Sequence, residues 1–204
     1  SNHEHHWFLL WFSRNETINM SYVPDVIVID NFFTDFSLTK DRFKELPMYP
    51  VEEYNERFAQ QQDWPGARSD WLPTVNPHLY SLFLAEVRDK LHNIAFTEKL
   101  DWNFSTTVHL RLSQDNAKDW IHTDDIGPYA SEYTLLVYLS DTNLESGTNF
   151  YDAEGNLTSS VKFVQNRAVF FKAGIPHKGF GHHGSSISDG RLTLNTFISK
   201  VGHL

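Results

Sequence analysis

The sequence predicts an α+β domain in which helices come first and a set of short strands, folded as a sandwich or barrel, comes second. Three observations carry this expectation. Leu79, Phe83, Val87, Leu91 and Ile94 recur at helical spacing. After Trp102 the apolar spacing changes to two. The segments with that second period are separated by Gly, Asn, Asp and Ser at turn positions.

Val26–Ile29 is a short run of the buried type and reads as a first strand. Thr34 or Asp35 caps a helix that runs to about Leu46 and is stopped by Pro47. Tyr49–Pro73 is polar, rich in Gln and Trp and broken by Pro65-Gly66. It reads as a long irregular connection, and Trp64–Trp71 within it as a candidate lid. Asn76-Pro77 supplies a cap followed by proline at the first helical position, which opens a helix over 77–96. In Thr106–Leu112, Val108, Leu110 and Leu112 alternate with Thr107, His109 and Arg111. Tyr133–Ser140, Asn149–Tyr151, Val161–Val164, Ala168–Lys172 and Arg191–Ser199 complete the strands.

With 40% hydrophobic and 15% aromatic residues the chain has enough apolar surface for a core. A net charge of −9 argues against a general phosphate-binding surface, and so against a nucleic-acid partner. The absence of cysteine excludes disulfides, thiolate metal sites, iron–sulfur clusters and thiol nucleophiles. Any metal must be held by His, Asp, Glu or water. No apolar run approaches the roughly 20 residues of a membrane span, so the expectation is a cytoplasmic protein without a membrane partner. Residues 1–19 differ in character from the rest and read as an N-terminal appendage, native or introduced by cloning. Residues 20–204 then form a single domain that starts naturally at Met20-Ser21. His3, His5 and His6 read as part of a polar terminus.

The chemistry centres on Trp120-Ile121-His122-Thr123-Asp124-Asp125. On an extended strand, residues i and i+2 face the same way, so His122 and Asp124 can aim an imidazole nitrogen and a carboxylate oxygen at one point. An H-x-D pair is a weak signal by itself. His177, where the run Phe170–His177 turns, is a plausible third ligand. Two His and one carboxylate on one face of an octahedral metal leave three positions open, enough for a bidentate 2-oxo acid and O₂. Arg191 follows fourteen residues later and opens a strand, with a hairpin expected to return it beside His177. Along that strand Arg191, Thr193, Asn195 and Phe197 share a face too polar for a core and suited to a pocket. A guanidinium fork matches a carboxylate bidentately, as the distal end of 2-oxoglutarate would require. His109 and Arg111 face away from the apolar side of their strand and are candidate substrate contacts. Asp125 points to the opposite side from the triad, and His182 and His183 read as solvated loop residues.

In chain order, His122-x-Asp124, Tyr133–Ser140 (YTLLVYLS), Ser146–Tyr151 (SGTNFY), Arg167–Phe171 (RAVFF), His177 and Gly190–Leu194 (GRLTL) resemble the iron(II)/2-oxoglutarate dioxygenase superfamily. The likeness is greatest to its prolyl 4-hydroxylase-like branch and covers 105–200, roughly half of the chain. It implies a double-stranded β-helix, the jelly-roll or cupin-like fold, with the N-terminal helices packed on one sheet. It further implies His122, Asp124 and His177 as the catalytic iron(II) ligands, with 2-oxoglutarate and O₂ as co-substrates. Arg191 is the implied oxo-acid anchor, with Tyr138 and Thr193 beside it. Hydroxylation of a peptidyl or small-molecule substrate, with release of succinate and CO₂, is the implied reaction. Halogenating relatives lack the carboxylate that Asp124 supplies. Two departures weaken transfer of a peptidyl-proline substrate. The branch usually reads G-G-E/T near Ser146-Gly147-Thr148, and many members carry Lys where Arg191 stands. The R-x-N-x-T-x-R signature of the DNA-repair members also fails, since the register here is Arg191, Thr193, Asn195 and Phe197. Two rivals stand beside this reading: a cupin-like metalloenzyme that uses no oxo acid, and a non-catalytic jelly-roll binding module. Arg191 with Tyr138 speaks against the first, and the complete triad against the second.

Overall fold

A computed structural model describes residues 20–23, 25–95, 102–127 and 130–201; the proposed appendage 1–19 lies outside them. In chain order the elements are β1 (Met20–Val23), β2 (Val26–Ile29), α1 (Phe36–Lys44), β3 (Tyr49–Pro50), α2 (Val51–Phe58), β4 (Ala67–Arg68), α3 (Leu72–Val75) and α4 (Pro77–Ala95). Then follow β5 (Trp102–Arg111), a 3₁₀ turn (Ser113–Lys118), β6 (Tyr133–Tyr138), β7 (Asn143–Tyr151), β8 (Leu157–Phe163), β9 (Ala168–Lys172), β10 (His177–Phe180) and β11 (Arg191–Lys200). The strands form an eight-stranded sheet, ordered β1-β2-β9-β6-β11-β5-β4-β3, and a three-stranded sheet, ordered β10-β7-β8. All pairings are antiparallel, and the architecture is the jelly roll with helices on one sheet.

The alternation of β11 divides the molecule. Leu192 and Leu194 sit opposite Leu110 and Val108 of β5, and Leu194 also opposes Val137 of β6. This face meets Phe43, Leu79, Phe83, Val87 and Leu91 of α1 and α4 in the larger core. Each buried Phe or Leu contributes roughly 1.5–3 kcal/mol through the apolar surface removed from water. The other face, Arg191, Thr193, Asn195 and Phe197, turns toward the smaller sheet. A second core of Leu136, Tyr138, Phe150, Phe163 and Phe171 fills part of that space. Slipping β11 by one residue would exchange the two faces, so core burial fixes the register of the polar row. The helix read over 77–96 is α4, and Asn76 Oδ1 accepts the Leu79 N–H at 3.0 Å as its cap. Among the described residues no helix is long and apolar enough to cross a membrane.

The segment 49–73 differs from the irregular connection expected. It holds α2 and two short strands, and β4 adds to the edge of β5, with Ala67 opposite Leu110 and Arg68 opposite His109. Ser69 extends the tie: its N–H donates to the Val108 carbonyl at 2.9 Å, and its hydroxyl accepts the Val108 N–H at 2.9 Å. Trp64 is buried, its ring 5.3 Å from Tyr54, and the Arg68 guanidinium lies 4.1 Å over it. An edge strand with unpaired backbone groups recruited this polar segment, which its composition did not announce. The result is a segment paired to the edge of β5 that forms a wall beside the pocket.

Gly66 enables that wall. Its φ is +81°, and a Cβ there would lie 2.1 Å from the Leu110 carbonyl oxygen and 2.9 Å from Arg111 Nη1. Gly66→Ala is expected to destabilise the protein by about 1–3 kcal/mol or more through strain and displaced backbone. Urea denaturation checks this, and a wild-type midpoint would contradict it.

Candidate metal centre

His122 and His177 come from segments far apart in sequence, joined by an antiparallel bridge. The His122 N–H donates to the His177 carbonyl at 3.0 Å, and the His177 N–H to the His122 carbonyl at 2.9 Å. Asp124 is tied to the same partner segment, its N–H donating to the Ala173 carbonyl at 2.8 Å. The imidazole rings stand 4.4 Å apart, and one ligand atom from each of His122, Asp124 and His177 lies within 4.8 Å of the others. His122 Nε2 is 3.7 Å from Asp124 Oδ1, and His177 Nε2 is 3.3 Å from Asp124 Oδ2.

Neighbouring groups aim these atoms. His122 Nδ1 lies 3.0 Å from the Trp120 carbonyl and His177 Nδ1 2.9 Å from the Ile175 carbonyl. A carbonyl accepts only, so each Nδ1 carries the proton and each Nε2 presents a lone pair. The Thr134 hydroxyl donates to Asp124 Oδ2 at 2.7 Å. Burial acts to raise the Asp124 carboxyl, but the adjacent His177 and the hydrogen bond from Thr134 outweigh it and hold the group below its ordinary value. Burial, followed by the adjacent His177, lowers His122. Two neutral imidazoles and an ionised carboxylate are the protonation states that bind a divalent metal.

The pocket next to this centre is walled by the predicted polar face of β11, by His109 and Arg111 of β5, by Thr134 and Leu136 of β6, and by Thr148 and Gly179 of the smaller sheet. Arg191 is buried deep in it. Its Nη2 donates to the Gly147 carbonyl at 3.0 Å, its Nε has no partner, and its guanidinium carbon lies 5.8 Å from the Tyr138 ring. Tyr138 is fully buried, stacked on Phe163 at 4.3 Å, with its hydroxyl 2.8 Å from Thr148 Oγ1. Thr148, rather than Tyr138, forms the pocket surface at that point. The Thr193 hydroxyl donates to Asn195 Oδ1 at 2.6 Å.

Three expectations are corrected. Arg191 does not return beside His177 in a hairpin: β10 pairs with β7 and β11 with β5 and β6, so the two residues face each other from different sheets. His182 is buried, its Nε2 2.7 Å from Asp119 Oδ2, and His183 is half-buried with Nδ1 3.0 Å from the Gly181 carbonyl. Their Gly/Ser surroundings concealed a loop held by Asn116, whose side chain bonds both the N–H and the carbonyl of His182. Asp125 is exposed and outside the ligand group, as its side of an ideal strand indicated. Thr148 and Asp119 were missed in the sequence. Period-two spacing in Ser146–Tyr151 could have exposed the former, whereas Asp119 had no signal.

No protein-family model and no curated protein matches the chain. Solved structures do match. A prolyl-4-hydroxylase from Pseudomonas putida is 15% identical, with a TM-score of 0.60, covering 87% of this chain and 94% of that one. A viral collagen prolyl hydroxylase from Paramecium Bursaria Chlorella virus-1, in complex with 2OG, is 13% identical, with a TM-score of 0.55 and coverages of 85% and 95%. A non-heme alpha ketoglutarate dependent carbocyclase from nogalamycin biosynthesis is 14% identical, with a TM-score of 0.57 and coverages of 86% and 79%. These likenesses establish a shared fold.

The buried histidines make stability depend on pH. Burial, then the charges of Arg68 and Arg111, hold His109 well below its ordinary value, and burial also lowers His182 and His122. The unfolded chain takes up protons near pH 6.5, where the folded protein does not, so stability is complete above about 6.5 and falls as pH drops below it. The melting temperature of metal-free protein is expected to decline from about pH 7 to about pH 5.5, and less steeply in His109→Gln. A flat profile would contradict the assignment of neutral buried imidazoles.

Proposed function

We propose that the chain is an iron(II)- and 2-oxoglutarate-dependent oxygenase that hydroxylates a peptidyl or small-molecule substrate and releases succinate and CO₂. The observation that carries this reading is the pairing of a two-His, one-Asp ligand group with a buried guanidinium, Arg191, at the far end of one pocket. The donor set suits iron(II), with lone pairs on both Nε2 atoms and an ionised carboxylate between them. Bound there, iron(II) supplies the activation of O₂ that couples oxo-acid decarboxylation to hydroxylation.

The chain's own residues do the rest. The Trp120 and Ile175 carbonyls fix the imidazole tautomers, and Thr134 fixes the carboxylate. Arg191 receives the distal carboxylate of 2-oxoglutarate, a role suited to a buried guanidinium with an unpartnered Nε–H. Tyr138 acts through Thr148, orienting its hydroxyl toward the same end of the pocket. Thr193, braced by Asn195, lines the wall between anchor and metal. Among the similar solved structures, the viral collagen prolyl hydroxylase is in complex with 2OG and the carbocyclase is alpha ketoglutarate dependent, and the reading takes only that oxo-acid use.

Two outcomes are expected. His122→Ala, Asp124→Ala and His177→Ala retain the fold, since the bridge is made of backbone, but lose metal on dialysis; metal analysis beside circular dichroism checks this. Arg191→Ala weakens 2-oxoglutarate binding by about 2–4 kcal/mol, roughly 30- to 1,000-fold, in calorimetry of the zinc-loaded protein. Arg191→Lys falls between, because the charge remains without the fork. Wild-type affinity in Arg191→Ala would show the anchor to be misassigned.

A further inference from the structure

The oxo acid accounts for one of the two guanidinium groups that line the pocket, and a third, Arg68, stands next to them on β4. Arg111 sits opposite Arg191 in the β11–β5 register and lines the cavity. Arg68 sits opposite His109 on β4, and residues paired across antiparallel strands share a face. Among the described residues none of the three arginines forms an ion pair. Arg68 Nε and Arg111 Nη1 are buried and have no hydrogen-bond partner. Burying a guanidinium with unmade hydrogen bonds is costly unless an anion arrives to use them.

Groups nearby do not fill that role. Asp119 acts on both Arg111 and Arg191 and Asp115 on Arg111, but Asp119 Oδ1 accepts the Trp120 N–H at 2.9 Å, Asp119 Oδ2 is 2.7 Å from His182, and Asp115 Oδ2 accepts the Leu112 N–H at 2.7 Å. His109, between the two strands, is engaged with the Thr107 hydroxyl at 2.9 Å. Trp64 offers Arg68 a ring face, which leaves its Nε–H unused. Burial and the charge of Arg111 push Arg68 down to about 9, and burial likewise brings Arg111 to about 10. Both remain cations at neutral pH, held at an energetic disadvantage.

Arg68 stands two strands from Arg191, about 10 Å across the sheet at about 4.8 Å per strand, and two residues off in register. Arg111 leans toward the β4 side, with Nη1 against Gly66. A planar guanidinium fork matches a carboxylate in both shape and charge.

We infer that the primary substrate carries a carboxylate, received by Arg68 and Arg111 on the β4 side of the pocket, away from the oxo-acid anchor. This rests on the assignment of Arg191 to 2-oxoglutarate. The test uses zinc-loaded wild-type protein saturated with 2-oxoglutarate, and ligand-observed saturation-transfer NMR. The probes are N-acetyl amino acids paired with their primary amides, at millimolar concentration. The acids are expected to receive transfer from the protein and the amides far less. Arg68→Gln and Arg111→Gln should each weaken binding of the acids roughly 10- to 100-fold, and Arg68→Lys should retain part of the preference. Equal response of acids and amides, or none from the acids, overturns the inference. So does an undiminished acid response in a folded Arg68→Gln. The acid-over-amide comparison is made on wild-type protein and decides the matter even where a variant fails to fold. If 2-oxoglutarate itself does not bind, the oxygenase reading falls and this inference with it; if it binds without acid preference, only the inference falls.

Discussion

The backbone bridge between His122 and His177 ties the segment leading into β6 of the larger sheet to the first residue of β10 in the smaller one, with paired hydrogen bonds of 3.0 and 2.9 Å. Once it forms, the two imidazoles face each other, and the Asp124 N–H bond to Ala173 brings the carboxylate to the same point. Further bonds extend the tie: Ala173 donates to the Glu132 carbonyl, and Ser131 to the Asp124 carbonyl. The ligand geometry therefore depends on main-chain contacts between two sheets, and substitution of a ligand side chain leaves its support standing. Preorganisation of this kind is what a metal site requires from its surroundings.

The second constraint is electrostatic. Asp124 is a carboxylate set between two imidazoles, and His177 and Thr134 hold it below its ordinary value. The arginines are the reverse case, cations buried with donors unmade. A protein seldom retains such an arrangement for stability alone, because desolvation exceeds what unpaired guanidinium groups return. The pocket is therefore better understood as complementary to anions that arrive from solution. The core register that places Arg191, Thr193 and Asn195 on one face also keeps these groups from collapsing onto the apolar side.

Much of this was legible in the sequence, for definite reasons. Period-two alternation in β5 and β11 exposes the polar row because Leu192, Leu194, Val108 and Leu110 are committed to the core. The H-x-D pair and His177 could be matched because metal geometry restricts residue types. What the sequence concealed were contacts decided by tertiary pairing. Two-residue strands such as Ala67–Arg68 have no periodicity, so neither the wall formed by 64–69 nor Arg68 could be found that way. The Asp119–His182 pair spans sixty-three positions and lies inside a Gly/Ser loop that looks solvated. The expected hairpin from His177 to Arg191 failed because the topology places β10 in the smaller sheet and β11 in the larger one.

Joint binding of iron(II) and 2-oxoglutarate at His122, Asp124, His177 and Arg191 is the central claim, and an anaerobic visible spectrum tests it most directly. Addition of both to wild-type protein should produce a weak metal-to-ligand charge-transfer band that neither produces alone and that Arg191→Ala shifts to much higher oxo-acid concentration. Iron retained by the protein, with no such band at saturating 2-oxoglutarate, would contradict the account and leave a metal site that uses no oxo acid.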